Sequence, residues 1–260
     1  MKGLRAAVSA EVLKARRSIV PVTSFVVVTF MGCIGGLFML IIQDPGRARS
    51  LGLLGTKASL SGLTADWPSL LDFLAQAASV GDLLLFAFLL AWVFGREAAD
   101  GTQRYLLALP VARSVVVAAK FCVVACWAAL LNLWLVLLVL VIGRGLDLPG
   151  GGGDVVVTGV GTAFVAAGLI LLGSAPVALV ASAGRGYLAP LAFAIATMIV
   201  AQVATALGWG GLTPWSIPSV AAGLVPGVVM DPTAIAVVVV TAIGGVGGTL
   251  AWWNSGHAGA

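Results

Sequence analysis

Four polar side chains interrupt an apolar stretch between residues 70 and 95: Asp72, Gln76, Ser79 and Asp82. On a helix of 3.6 residues per turn they fall within about a third of the circumference. Carboxylate, amide and hydroxyl on one stripe suit a polar path through a membrane. A carboxylate in the hydrocarbon is costly unless it faces protein or water. Asn132 and Gln202, in other apolar stretches, are candidate partners. The plainer alternative is a neutral or hydrogen-bonded Asp82 that only fixes helix packing. Covalent chemistry finds no such support. The single histidine, His257, lies three residues from the end, so no Ser–His pair can form within the apolar body. No G-x-x-x-x-G-K-[ST] phosphate loop occurs, and the glycines at 150–153 lack the lysine that would follow, so they read as a flexible turn. Cys33, Cys122 and Cys126 sit in apolar runs, where small buried cysteine is the ordinary state. No cluster has the composition of a metal site. The chain is therefore expected to be no enzyme by itself and to hold no cofactor or metal.

The second constellation is a charged stretch: Gly95-Arg96-Glu97-Ala98-Ala99-Asp100-Gly101-Thr102-Gln103-Arg104-Tyr105-Leu106-Leu107-Ala108-Leu109-Pro110-Val111-Ala112-Arg113, with Lys120 just beyond. Its charge density is second only to that of the N-terminal segment. Thr102 can cap a short helix at its N-terminal end, and Pro110 would end it. Leu106, Leu107 and Leu109 would then be free to dock on another chain. The alternative is an ordinary solvated loop.

The elements that must position these residues follow from composition. Of 260 residues, 60% are hydrophobic and 9% charged, against about 25% charged in soluble domains. A soluble fold of this length has no surface to draw on, so the expected class is an all-α integral membrane protein. Spans of about 20 apolar residues fit at 19–42, 70–95, 114–142, 155–183, 188–208 and 231–253. They form one six-span domain over 19–253, preceded by a segment at 1–18 and followed by a tail at 254–260. The 19–42 run is longer than a signal-peptide core and reads as an uncleaved span. Six spans put both termini on one side. That side carries Lys2, Arg5, Lys14, Arg16, Arg17, Arg96, Arg104, Arg113, Lys120 and Arg185, against Arg47, Arg49, Lys57 and Arg144 on the other. The excess makes both termini cytoplasmic. Within 2–18, Leu4, Val8, Val12, Ala15 and Ile19 recur at helical spacing, as expected of a helix lying on the inner leaflet. Between spans 5 and 6, residues 209–230 hold Trp209, Pro214, Trp215 and Pro218 and no Lys or Arg, as expected of a short external segment at or dipping into the interface. Gly32 with Gly36, and Gly244 with Gly248, form small-xxx-small faces for close helix packing.

Several of these stretches resemble a known family. The pattern E-x3-G-T-x3-LL-x-LPV-x-R-x6-K from Glu97 to Lys120 looks like the first cytoplasmic loop of ABC-2 type transporter permease subunits. Ala10-Glu11-Val12-Leu13-Lys14-Ala15-Arg16-Arg17-Ser18 is similar to the N-terminal E-x2-K-x2-R-S of the bacitracin-export and lantibiotic-immunity branch. Gly184-Arg185-Gly186-Tyr187-Leu188-Ala189-Pro190 resembles that branch's turn between spans 4 and 5, and Thr213-Pro214-Trp215-Ser216-Ile217-Pro218 resembles its external segment. The four stretches occur in order along nearly the whole chain.

The resemblance implies a permease in a bacterial plasma membrane that exports an amphipathic small molecule or peptide antibiotic. It implies two separate ATPase subunits that bind ATP and Mg, a second permease copy or paralogue, and contact with membrane lipids. No nucleic acid is implied. The residues it assigns to ATPase coupling are Glu97, Gly101, Thr102, Arg104, Leu107, Pro110, Arg113 and Lys120. Glu11, Lys14 and Arg17 belong to the N-terminal helix, and Pro214, Trp215 and Pro218 to the external segment. A secondary transporter or channel, and a membrane immunity protein that moves nothing, are the alternatives. The first often shows internal repeats, and none is evident between the two halves of this chain.

Overall fold

The computed structural model describes residues 2–52, 64–102, 111–184, 186–225 and 227–255. Helix α1 (Lys2–Arg16) leads through a tight elbow into α2 (Val20–Gln43) and the short α3 (Pro45–Ser50). Next come α4 (Trp67–Ala99), α5 (Arg113–Gly145), α6 (Gly153–Gly173), α7 (Pro176–Ala183), α8 (Leu188–Ala206), the short α9 (Ile217–Ala221) and α10 (Pro232–Asn254). No strand occurs among the described residues. Six helical stretches are long and apolar enough to cross a membrane: α2, α4, α5, Gly153–Ala183 (α6 with α7), α8 and α10. They overlie the six stretches marked in the sequence, with α4 running three or four residues further at each end and α5 one residue further at its start and three at its end.

Local chemistry sets the helix limits. Asp66 caps α4 by accepting from the Ser69 backbone N–H at 2.9 Å, and this bond holds its carboxyl below the usual carboxylate range. Asp231 caps α10 through Thr233 N–H at 3.0 Å. Each is followed by proline in the first turn, where the missing N–H costs nothing. At the far end of α4, Gly101 adopts φ +66°. Its N–H reaches the Ala98 carbonyl and the Thr102 N–H reaches the Glu97 carbonyl, the two bonds of a Schellman stop. Thr102 thus ends the preceding helix. The coupling helix expected to follow it, with Arg104, Leu107 and Pro110, lies outside the described residues.

Two spans are interrupted. In α4, residues Ala77–Gly81 form a π-turn, in which Asp82 N–H bonds to the Ala77 carbonyl. The fourth span breaks at Ser174–Ala175, because Pro176 has no N–H to donate. The apolar core runs along α4, whose Leu70, Leu74, Phe86, Leu89 and Leu90 are almost wholly buried. Close approaches are made by small residues. A Cβ on Gly32 or Gly36 would strike Leu138 or Ile142 of α5, and one on Gly245 would strike the Ala175–Pro176 backbone. On α10 the packed face is therefore Gly245 with Gly248. Gly244, expected in that role, faces open space. All these contacts lie inside one subunit.

Candidate functional site

At the end of the bundle that carries α1, four charged side chains from three helices close a ring. Lys14 Nζ (α1) donates to Glu11 Oε1 at 2.6 Å and to Glu97 Oε1 (α4) at 2.8 Å. Lys120 Nζ (α5) donates to Glu97 Oε1 and Oε2 at 2.7 and 2.9 Å, and to Glu11 Oε2 at 3.4 Å. Its remaining donor capacity goes to the Val93 carbonyl at 2.6 Å. Two carboxylates and two ammonium groups alternate, so the ring is neutral overall. Lys120 is 0% exposed, Glu97 5% and Glu11 6%. Burial works against the Lys14 ammonium, yet the carboxylates of Glu97 and Glu11 outweigh it and hold its pKa above the ordinary lysine value.

Aromatic faces complete the enclosure. Lys120 Nζ lies 5.7 Å from the Phe94 ring centroid and 6.0 Å from that of Trp253. Trp253 donates its indole N–H to Ser182 Oγ at 3.0 Å, which ties α10 to α7. Arg113 donates to the Trp253 carbonyl at 2.9 Å, a cation at a helix C-terminus. Arg96 donates to the Lys14 carbonyl at 3.4 Å and stacks 5.2 Å from the Trp92 ring. Buried ion networks of this kind add little net stability, but removing one member leaves an uncompensated charge. They are suited to fixing register between helices.

The sequence-derived assignments divide accordingly. Glu97, Lys120, Glu11 and Lys14, taken from separate stretches, meet in one place. Glu97 and Lys120 are turned inward and Arg113 is committed to α10, so all three are spent on contacts within the chain. Arg17 is exposed and outside the ring. The bundle-facing side of α1 is Glu11, Lys14 and Ala15, whereas Leu4, Val12 and Leu13, and Ile19 in the elbow, are exposed. Apolar side chains find a good solvent in lipid while charges need protein partners. Sequence reasoning missed Trp253, Ser182 and Trp92. Only their position at span ends marked them.

The polar stripe of the second span does not hold together. Asp72 and Gln76 are exposed, and Ser79 and Asp82 are buried. The π-turn between them inserts a residue and shifts the helix face. Asp82 is 2% exposed and accepts from Asn132 Nδ2 of α5 at 3.3 Å, while Asn132 Oδ1 has no partner. Ser79 returns its hydroxyl to the Ala75 carbonyl. Gln202 is exposed on α8 and makes no bond to Asp82. In the segment after α8, Trp215 donates to the Gly173 carbonyl at 3.0 Å and packs edge-on against Phe193. That carbonyl is free because Val177 N–H bonds to Ser174 instead. Pro214 lies against Gly173, and Pro218 starts α9. The segment therefore reaches into the bundle and repairs the break before Pro176.

A membrane bundle with a charged hub at one end is compatible with several transporter architectures, and comparison with known proteins decides between them. The model of the family described as ABC-2 family transporter protein matches residues 7–202. The chain belongs to the ABC-2 transporter family. As an ABC-2 permease it is a multi-pass membrane subunit of an ABC exporter, a class that works with ATPase subunits. The matched region contains all four ring residues and Asp82, and stops short of Trp215 and α10. No curated protein and no solved structure matches the chain.

Proposed function

We propose that the chain is the permease subunit of an ATP-driven exporter in which the ionic ring passes ATPase motion to the spans. The observation that carries this reading is the convergence of Glu11, Lys14, Glu97 and Lys120 at the base of the loop joining α4 to α5. In an ABC-2 permease that loop is the expected contact for the ATPase. Arg104, Leu107 and Pro110 would make the contact, Gly101 and Thr102 would set its starting angle, and Glu97 and Lys120 would transmit it inward. Arg113 would carry the same movement to α10. Switching then requires contacts that differ between two packings of the bundle, and a ring that locks α1, α4 and α5 in register would carry the movement to those packings as one piece.

The finer reading follows the bacitracin-export and lantibiotic-immunity resemblance. Two such permeases, identical or paired, would frame the pathway, with two ATPase subunits holding ATP and Mg on the side of both termini, the bacterial cytoplasm. The cargo would be an amphipathic small molecule or peptide antibiotic, and export would confer resistance to it. Asp82 and Asn132 would line or gate that pathway.

Isolation of the tagged chain from its own cells, followed by identification of bound subunits, tests the assignment. Recovery of an ATP-hydrolysing subunit in about equal amount is expected. A chain that transports in vesicles with no such subunit and no ATP would overturn it. In the assembled complex, joint reversal of Glu97 and Arg113 should leave ATP hydrolysis running without transport. Full coupling in that variant would remove the ring from the mechanism.

A further inference from the structure

The lipid-facing side of the ring is flanked by a groove that the exporter reading does not use. It has a volume of about 280 Å³ and runs between α1, α2 and α5. Val12, Ala15, Phe25, Cys126 and Leu130 are among its apolar walls. From Cys122 to Leu130 it follows α5 for eight residues, about 12 Å at 1.5 Å per residue. Its length and apolar lining suit one acyl chain. Arg16 is the single charged residue in the lining. It is exposed and engaged in no ion pair or hydrogen bond among the described residues. Trp127 forms part of the wall, is 8% exposed, and has an indole N–H with no partner. A buried N–H is expected to be bonded, so the groove offers a cation at its mouth and an unsatisfied donor in its wall.

We propose that this groove binds one anionic phospholipid from the leaflet that adjoins α1. The phosphate sits on Arg16, a glycerol ester carbonyl accepts from Trp127 Nε1, and an acyl chain lies along the groove toward Leu130. Arg5 and Arg17, also exposed and unpaired among the described residues, add to the positive field around the mouth. One charge-assisted contact of this kind corresponds to about a five-fold preference for an anionic over a zwitterionic headgroup. Opposite charge at the mouth selects the headgroup, and the apolar wall accepts any chain. Glu11 and Lys14 lie on the adjoining face of the same helix, with Ala15 between them and the groove, so occupancy of the groove would bear on the ring.

The native cysteine in the wall supplies the probe. In full-length Cys33→Ala/Cys122→Ala protein, a bimane on Cys126 is titrated with doxyl-labelled phosphatidylglycerol or phosphatidylcholine in otherwise zwitterionic nanodiscs. Quenching by phosphatidylglycerol should reach its midpoint at about one-fifth the mole fraction that phosphatidylcholine needs. Arg16→Gln should abolish that preference, while Arg144→Gln, at the opposite end of α5, should retain it. Trp127→Phe should weaken quenching by both lipids. Unchanged melting and gel-filtration profiles of each variant show that the fold is intact. Equal quenching by the two lipids in the unmodified-arginine protein would overturn the proposal. So would no quenching by either, and Cys126–Cys126 cross-linking between copies in that case would assign the groove to a subunit interface.

Discussion

Two buried acidic centres sit in the same bundle and are treated in opposite ways. At the α1 end, Glu97 is met by two ammonium groups, and both ammonium groups are met again by Glu11. In mid-span, Asp82 has one amide at 3.3 Å, and that amide leaves its own oxygen unbonded. The first centre is closed: every charge has opposite charges on both sides, and aromatic faces cover Lys120, leaving Lys14 partly exposed at the edge. The second is open, with hydrogen-bonding capacity left over beside a π-turn, a feature frequent at functional sites. A closed centre holds helices in register and resists change. An open one can accept a new partner at low cost. Under the proposed function, the ring would transmit force and the Asp82–Asn132 pair would serve whatever passes or alternates in the core.

The sharpest way to break this contrast is to open the ring. Lys120→Met leaves two buried carboxylates to the one ammonium of Lys14 and should cost about 3–5 kcal/mol, read from the shift in a detergent unfolding titration. The double variant Lys120→Met/Glu97→Gln should recover part of that loss. A cost below about 1 kcal/mol in the single variant would mean that the ring is solvated and not closed. Next in size is Trp215→Phe, which leaves the Gly173 carbonyl unpaired and should cost about 1–3 kcal/mol in the same titration.

At the opposite end, Asp66→Ala removes a helix cap and should cost about 1 kcal/mol. Its pH dependence has a definite sign. The folded Asp66 carboxyl titrates below its unfolded value of about 3.9. Its contribution is therefore complete above that pH and is lost as pH falls through the lowered folded value. The alanine variant should show a shallower acid slope in melting temperature, and an unchanged slope would remove the cap from the account. Smallest of all should be the stability effect of Asp82→Asn, within about 1 kcal/mol, since the new amide can donate to Asn132 Oδ1. Transport should fall nonetheless, while folding and assembly persist. Normal transport would leave Asp82 a packing residue.

Much of the scaffold was legible because one rule governs it. Long apolar runs cross membranes, whereas the stop at Gly101-Thr102 was hidden, because Thr102 reads in the sequence as the cap of a following helix. The ring was legible only in pieces. Glu11, Lys14, Glu97 and Lys120 each stood out as a charge beside a span, but Lys120 and Glu11 are 109 residues apart, and no local pattern announces such a pairing. The π-turn was invisible for a related reason. A uniform 3.6-residue period placed Asp72, Gln76, Ser79 and Asp82 on one stripe, and a single inserted residue divides them. On α1 the apolar period pointed to a helix lying on the leaflet, and it said nothing of the charged face that packs on the bundle. In α1 the inward face is Glu11 and Lys14.

The central claim is that the closed ring carries coupling between ATP hydrolysis and the spans. Its most direct test is the transport-to-hydrolysis ratio of the assembled complex carrying Glu97→Gln, an isosteric change that removes one charge from the ring. The account predicts that the complex assembles and hydrolyses ATP while cargo moved per ATP falls about ten-fold or more, the size of effect expected of an allosteric coupling energy. A ratio equal to that of the unaltered complex would contradict it.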